Sequence, residues 1–238
     1  MNPVGLLTVM KQDDLRSSLQ HVLWIGGGTD TGKTSIAQAI AHRYGLQVYH
    51  YDRHESSHIE RLINAGSAYL EKLVTKTPEG TWELRDADEY WVLRSPDVMA
   101  QETITSWKER FPLVVEDLQA MPREPMIIAE GPGLFPECVC RVLRNPRQAI
   151  WLVPTEGFKR ALVKQRGKPG VRAKTSDPER ATENLFARDM LMARLVCEEA
   201  QERGLKVCEV DGSQSLVEMV AVVERHFQPG LTISFKVT

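Results

Sequence analysis

Residues 21–34 read HVLWIGGGTDTGKT, and this stretch decides the fold. Its last part, from Gly27 to Thr34, matches in full the pattern GxxxxGK followed by Ser or Thr. Residues 21–25, HVLWI, are apolar apart from the histidine and predict a buried strand. Apolar residues then recur at helical spacing over residues 33–44, and Gly45 is well suited to end that helix. The stretch therefore predicts a strand, a glycine-rich loop and a helix in direct succession.

Each part of this pattern suits the binding of phosphate groups. Glycines let the backbone turn so that successive N–H groups point at phosphate oxygens. The N-terminus of the following helix adds about half a positive charge at the same place. Lys33 is expected to reach the β and γ phosphates, and the Thr34 hydroxyl is expected to ligate Mg²⁺. The cofactors predicted from the pattern are therefore ATP and Mg²⁺. The residues predicted to bind the nucleotide are consecutive: Gly27, Gly28, Thr29, Asp30, Thr31, Gly32, Lys33, Thr34 and Ser35.

Further apolar runs alternate with stretches of helical spacing along the rest of the chain. They predict strands at residues 46–51, 126–129, 149–153 and 205–210. A capping box beginning at Ser215 predicts the start of the last helix. Strands that alternate with helices indicate an α/β protein with a parallel sheet covered on both faces. Such sheets bind ligands beyond the carboxyl ends of their strands.

Composition excludes several other classes of protein. The chain has 238 residues, of which 42% are hydrophobic and 26% charged, with a net charge of −2, which excludes disordered and low-complexity chains. A pI near 6.3 argues against bulk binding to nucleic acid or a membrane surface. No apolar run approaches the roughly 20 residues that span a bilayer, and the N-terminus lacks the basic start of a secretory signal. Four cysteines without a CxxC pair indicate reduced thiols. We expect a cytoplasmic protein with no nucleic-acid or membrane partner, with a homodimer as one option for its oligomeric state.

On its phosphate loop the chain resembles the P-loop kinase superfamily, in particular the small phosphotransferases related to nucleotide, shikimate and chloramphenicol kinases. The resemblance spans about residues 20–228, and the NKxD motif of GTPases and the LSGGQ motif of ABC ATPases do not occur. It implies one P-loop NTPase domain over residues 1–238, a three-layer α/β/α sandwich with a five-stranded parallel sheet in the order 2-3-1-4-5. It also implies transfer of the γ-phosphoryl group of ATP to a hydroxyl, or to a phosphate, of a small molecule. Such acceptors include nucleosides, nucleotides, sugars and antibiotics, and an ATPase or switch without a small acceptor is the alternative.

Two acids stand at the ends of predicted strands. In the kinases that the chain resembles, an acid at the position of Asp52 faces the acceptor hydroxyl, whereas a turn aspartate capping a helix is the alternative. Arg53 beside it suits an anionic acceptor. Glu130 stands where these kinases carry the Walker B acid, so it is expected to serve either Mg²⁺ or the acceptor, with Gly131 allowing close backbone approach. The alternative for Glu130 is an acid that leaves the sheet for solvent.

Two segments interrupt the alternation of strands and helices. Residues 53–120 are predicted to form a helical insertion that binds the acceptor, and the aromatic residues there either stack on the acceptor or form a small core. Residues 156–190 resemble the basic lid of nucleotide-type kinases, whose arginines close over the transferring phosphate. Arg166, Arg172 and Arg188 are the arginines that we expect to act in this way. A solvated basic helix face and a nucleic-acid surface are the alternatives.

Residues 54–58 read HESSH and match the zinc metalloprotease pattern HExxH. In a zinc hydrolase His54 and His58 would ligate the metal and Glu55 would act as general base. The only acid at suitable downstream spacing is Glu79, which lies in a predicted turn. We therefore expect a polar helix start with exposed histidines, and zinc hydrolysis stands as a remote alternative.

Overall fold

The computed structural model describes residues 12–166, 174–228 and 230–231. The strands in this part of the chain are β1 Val22–Gly27, β2 Gln47–His50, β3 Val74–Lys76, β4 Trp82–Leu84, β5 Ile127–Glu130, β6 Ala149–Pro154 and β7 Lys206–Val210. The α-helices are α1 Gln12–Ser18, α2 Lys33–Tyr44, α3 Glu55–Asn64, α4 Ala68–Leu73, α5 Pro96–Glu109, α6 Phe111–Ala120, α7 Pro136–Val139, α8 Glu156–Arg166, α9 Pro178–Glu202 and α10 Leu216–Phe227. Shorter helical turns occupy Tyr51–His54, Glu89–Leu93 and Pro146–Gln148.

Five of the strands form one parallel sheet in the order β2-β5-β1-β6-β7. All five predicted strand segments lie in this sheet. The strand numbers differ from the predicted order 2-3-1-4-5 because the described part of the chain contains two more strands than we predicted. These are β3 and β4, which pair with each other outside the sheet and precede its third strand in the chain.

Helices cover both faces of the sheet. On one face Leu23 and Ile25 of β1 pack against α2 and α10. On the other face Val22 and Trp24 pack against α5, α6 and α9. Successive side chains of a strand point to opposite faces, so a strand that is buried along its whole length requires cover on both. The fold is therefore α/β with a parallel sheet between two helical layers.

The segment 53–120 is not wholly helical, and the prediction is wrong there. It contains α3, α4, α5 and α6, but β3 and β4 form an antiparallel hairpin between them. Pro78 and Gly80 lie in the connecting turn, where Gly80 has a φ of +84° and its N–H donates to the Thr77 carbonyl over 2.9 Å. The β-branched Val74 and Thr75 before the turn favour a strand.

Local signals of helix ends are confirmed. Gly45 follows α2 with a φ of +67°, the left-handed conformation that often ends helices. Ser215 and Glu218 form the predicted capping box of α10. Neither these helices nor any other described helix is both long and apolar enough to cross a membrane.

Part of the basic segment 156–190 lies outside the described residues. Its N-terminal end forms α8, and its C-terminal end forms the first half of α9. Arg172 falls in the range 167–173, which the structure does not describe, and for Arg166 only the backbone position at the end of α8 is described. Of the three selected arginines, the structure therefore places the side chain of Arg188.

Candidate active site

The loop between β1 and α2 adopts backbone conformations that its glycines allow. Gly27 and Gly32 have φ values of +113° and +80°. A side chain at Gly27 would overlap the carbonyl oxygen of Leu152, so the loop packs directly on β6. The helix α2 begins at Lys33, immediately after Gly32. The free N–H groups at the start of this helix therefore face the loop, as an anion site requires.

Lys33 is buried at this helix start, with 6% of its surface exposed. Its Nζ donates to the carbonyl oxygen of Gly28 and lies 3.4 Å from the Thr31 hydroxyl oxygen. Burial lowers the pKa of Lys33 to about 8, although the charges of Glu130 and Asp52 act in the opposite direction. An ammonium held this way lacks much of its hydration, so an anionic ligand would stabilise it.

Thr34 and Glu130 are brought together from distant parts of the sequence. The Thr34 hydroxyl donates to Glu130 Oε1 over 3.1 Å, and His50 Nδ1 lies 2.7 Å from the same oxygen. Glu130 ends β5, between β2 and β1 in the sheet, and is 4% exposed. A hydroxyl and a carboxylate are oxygen donors of the kind that Mg²⁺ takes. Sequence reasoning missed His50, although it ends a strand two residues before Asp52.

Asp52 lies in the short helical turn that follows β2. Its side chain reaches solvent, but nearby protein removes part of its hydration. This desolvation, followed by the charge of Glu130, raises the pKa of Asp52, while Lys33 and Arg110 lower it. The Asp52 carboxylate is therefore a better proton acceptor than an ordinary surface aspartate. Arg53, the next residue, is exposed.

Gly131 allows a close contact, but this contact is within the chain and differs from the approach that we expected at the site. A side chain at this position would overlap Cβ of Tyr51, so the glycine lets the end of β5 pack against that tyrosine. Its N–H donates to the Ile25 carbonyl over 3.1 Å. The close approach that the glycine permits is therefore one between two parts of this chain.

The helices α8 and α9 add a buried ion network to the loop. Lys159, which is 1% exposed, places Nζ 2.7 Å from Asp30 Oδ2 and 2.8 Å from Asp189 Oδ2. The Thr29 hydroxyl donates to Asp189 over 2.7 Å, and Arg188 donates to the other oxygen of Asp189 over 2.7 Å. Two cations of the basic segment therefore lie beside the loop of residues 27–34. Sequence reasoning counted Lys159 in that segment but gave no reason to select it.

A partly open cavity of about 350 Å³ lies between the segment 53–120 and α9. Aromatic side chains form part of its wall: Tyr69, Trp82, Tyr90, Trp91 and Trp107. Charged side chains also line it: Glu55, Glu83, Arg110, Lys174 and Arg188. Trp107 also borders a small cleft at the start of the loop, together with Gly27 and Thr29. The cavity therefore adjoins the phosphate loop.

Two buried guanidinium groups reach this cavity. Arg110 is 2% exposed, lies 3.9 Å from the centre of the Tyr51 ring and donates to the Tyr51 carbonyl over 3.2 Å. Its Nε has no hydrogen-bond partner among the described residues. Arg188 lies over the Trp91 ring, 5.0 Å from its centre. A ligand that carries an oxygen-rich group would find donors here.

The HESSH residues point to two different places. Glu55 lines the cavity, 3.4 Å from Arg110. His54 and His58 instead meet Asp117 of α6, at 3.3 Å and 2.7 Å. His58 is fully buried, so the prediction of exposed histidines is wrong for this residue. The acid beside the histidines is Asp117 and not the exposed turn residue Glu79. The glutamate of the motif therefore faces Arg110 and the cavity, while the two histidines face α6.

Compared with known proteins, this sequence matches no protein-family model and no curated protein. Among the predicted site residues, the structure brings Lys33, Thr34 and Glu130 together and places Asp52 within reach of their charges. Arg188 lies at the neighbouring cavity. The arrangement combines a helix start with free N–H groups, a hydroxyl–carboxylate pair suited to a metal ion and an aromatic cavity that Glu55 lines.

Proposed function

We propose that this chain is an ATP-dependent phosphotransferase of the P-loop kinase type. It would transfer the γ-phosphoryl group of ATP to a hydroxyl, or to a phosphate, of a small molecule. The observation that carries the proposal is the buried Lys33 ammonium at the start of α2, next to the contact between Thr34 and Glu130. A buried cation at the start of a helix that follows a glycine-rich loop can pair with phosphate groups bound there.

The nucleotide would lie along the loop, with the backbone N–H groups of residues 27–35 and Lys33 holding its phosphates. Thr34 and Glu130 would hold Mg²⁺, which when bound compensates phosphate charge. Lys159 and Arg188 share Asp189 as their counter-charge beside the loop. Asp30 is a second counter-charge of Lys159, so the network places cationic hydrogen-bond donors beside the loop but adds no net positive charge there.

The acceptor would occupy the aromatic cavity, whose volume of about 350 Å³ suits a small molecule. Asp52 would accept the proton of the attacking hydroxyl. The acceptor oxygen forms a bond to the γ phosphorus while the bond between that phosphorus and the bridging oxygen of ADP breaks. The proton passes to the Asp52 carboxylate, so the products are phosphorylated acceptor and ADP. The raised pKa of Asp52 favours this step.

Release of ADP from ATP in the presence of Mg²⁺ tests the proposal, with pools of nucleosides, nucleotides, sugars and aminoglycosides as acceptors. We expect one pool to increase ADP release by the wild type. The same pool should act on Lys206→Ala, which changes an exposed lysine at the start of β7, but not on Lys33→Ala. Equal stimulation of a folded Lys33→Ala protein would contradict the proposal. ADP release that no pool changes would favour an ATPase or switch.

A further inference from the structure

Three side chains outside the proposed active site form a compact cluster: His54, His58 and Asp117. Asp117 Oδ2 lies 2.7 Å from His58 Nε2 and 3.3 Å from His54 Nδ1. The three donor atoms all lie within 4.8 Å of one another. His54 precedes α3, His58 is one turn into that helix, and Asp117 belongs to α6. The cluster therefore joins two helices of the segment 53–120.

We propose that this cluster binds one divalent transition-metal ion, with zinc as the best match. Zinc bonds of about 2.0–2.1 Å to nitrogen and oxygen place neighbouring tetrahedral donors about 3.3 Å apart. The contact between His54 and Asp117 already has this spacing, and the contact between His58 and Asp117 has to lengthen by about 0.6 Å. The donor nitrogens of the two histidines, which lie within 4.8 Å of each other, have to reach the same spacing. Two imidazoles and one carboxylate favour zinc and its neighbours in the first transition row over Mg²⁺ or Ca²⁺. The side chain of His54 is 40% exposed, so solvent can supply the fourth ligand.

Neighbouring groups orient the proposed ligands. The Tyr49 hydroxyl donates to Asp117 Oδ2 over 2.9 Å, and the Tyr49 ring stacks on His54 with 4.3 Å between ring centres. Metal ligands in proteins are commonly held by such outer contacts. Arg61 lies 3.4 Å from Asp117 Oδ1, but it also pairs with Glu116, which offsets its charge. The local charge therefore does not exclude a cation.

The position of Glu55 indicates that a metal at this cluster would be structural and not catalytic. A zinc hydrolase needs its general base next to the metal, whereas Glu55 lines the cavity beside Arg110. A metal at the cluster would instead clamp the start of α3 to α6. Glu55 and Ile59 of α3 line the cavity, so the clamp would fix one of its walls. This inference does not depend on nucleotide binding.

Cobalt titration of the chelator-treated full chain tests the site, because Co²⁺ replaces zinc and absorbs visible light. We expect one equivalent to give the absorption bands of a four-coordinate site, and zinc to abolish them. His54→Ala removes a partly exposed ligand, and His42→Ala removes an exposed histidine elsewhere as a matched control. His42→Ala should bind as the wild type does. His54→Ala should lose affinity by about 100-fold or more, since even residues that only support ligands are worth 10–100-fold.

Two results would overturn the inference. The first is a folded wild-type protein that gives no cobalt bands, which would make the cluster a hydrogen-bond network only. The second is an unchanged cobalt affinity in His54→Ala. If cobalt bands survive in His54→Ala but disappear in His50→Gln, the metal binds beside Glu130, and the cluster is again excluded. Circular dichroism of each variant shows whether a loss of binding reflects a loss of folding.

Discussion

At the scale of single residues, the charge of Lys33 should decide how tightly the proposed nucleotide binds. Its pKa of about 8 means that the ammonium is charged at neutral pH and loses its proton above pH 8. An anionic ligand favours the charged form, so the affinity for MgATP should fall by up to about tenfold per pH unit above that value. Calorimetric titrations between about pH 7 and pH 9.5 measure this. In Lys33→Met binding should be weak at every pH, and a wild-type affinity that does not change over the range would contradict the prediction.

Lys33 should also cost the folded chain stability. Its pKa is lower in the folded state than in the unfolded state, so the unfolded chain binds the proton more tightly. The cost is therefore full below about pH 8 and is relieved as the pH rises towards 10.5. Lys33→Met should raise the free energy of unfolding at neutral pH, by up to about 3 kcal/mol. Urea unfolding of both proteins measures this difference in the free energy of unfolding. A variant less stable than the wild type would contradict a stability cost of burying the Lys33 ammonium.

Substitution of Glu130 should affect nucleotide binding, whereas substitution of Asp52 should affect the rate of transfer. Glu130 contacts Thr34, so Glu130→Gln should weaken the dependence of nucleotide binding on Mg²⁺. Asp52→Asn should leave nucleotide binding nearly unchanged and lower kcat with the identified acceptor by about 100-fold or more. Titrations with and without Mg²⁺, together with steady-state rates, measure both effects. If Glu130→Gln lowered kcat alone and Asp52→Asn weakened the dependence on Mg²⁺, the roles assigned to the two acids would be reversed.

At the scale of elements, two glycines at helix ends should respond in opposite directions to the same substitution. Gly45 ends α2 with a φ of +67°, where a side chain is strained, so Gly45→Ala should cost about 1 kcal/mol. Gly157 lies in the first turn of α8 with open space around it, and Gly157→Ala should stabilise by about 0.5 kcal/mol. Urea unfolding of both variants checks the signs. Equal changes in the free energy of unfolding would show that the positive φ of Gly45 does not determine the effect of its substitution.

The elements that could be predicted from the sequence carry local signals. The helix α2 has apolar residues at helical spacing and a glycine stop, and α10 has its capping box within a few residues at Ser215. The hairpin of β3 and β4 was missed because each strand is only three residues long. The turn at Glu79 was predicted, but the short stretches on either side of it were not predicted as strands.

At the scale of the whole molecule, the candidate site depends on contacts between distant residues. Glu130 meets Thr34 from 96 positions away, and Asp189 meets Thr29 from 160 positions away. The strand-end rule predicted the first pair, since both residues lie at the carboxyl edge of the parallel sheet. No such rule applies to Lys159, Asp189 or Arg110, which lie within helices or between them. Their places follow from how α5, α8 and α9 pack, which the sequence pattern does not specify.

Calorimetric titration of MgATP into the full chain tests most directly whether the loop from Gly27 to Thr34 holds nucleotide phosphates. We expect saturable binding to the wild type and to Lys206→Ala, in which an exposed lysine at the start of β7 is lost. Lys33→Ala should bind about 10- to 100-fold more weakly, since a hydrogen bond from a charged group is worth about 1.5–3 kcal/mol. Binding that is absent from the folded wild type, or equally tight in Lys33→Ala, would contradict a phosphate site at this loop.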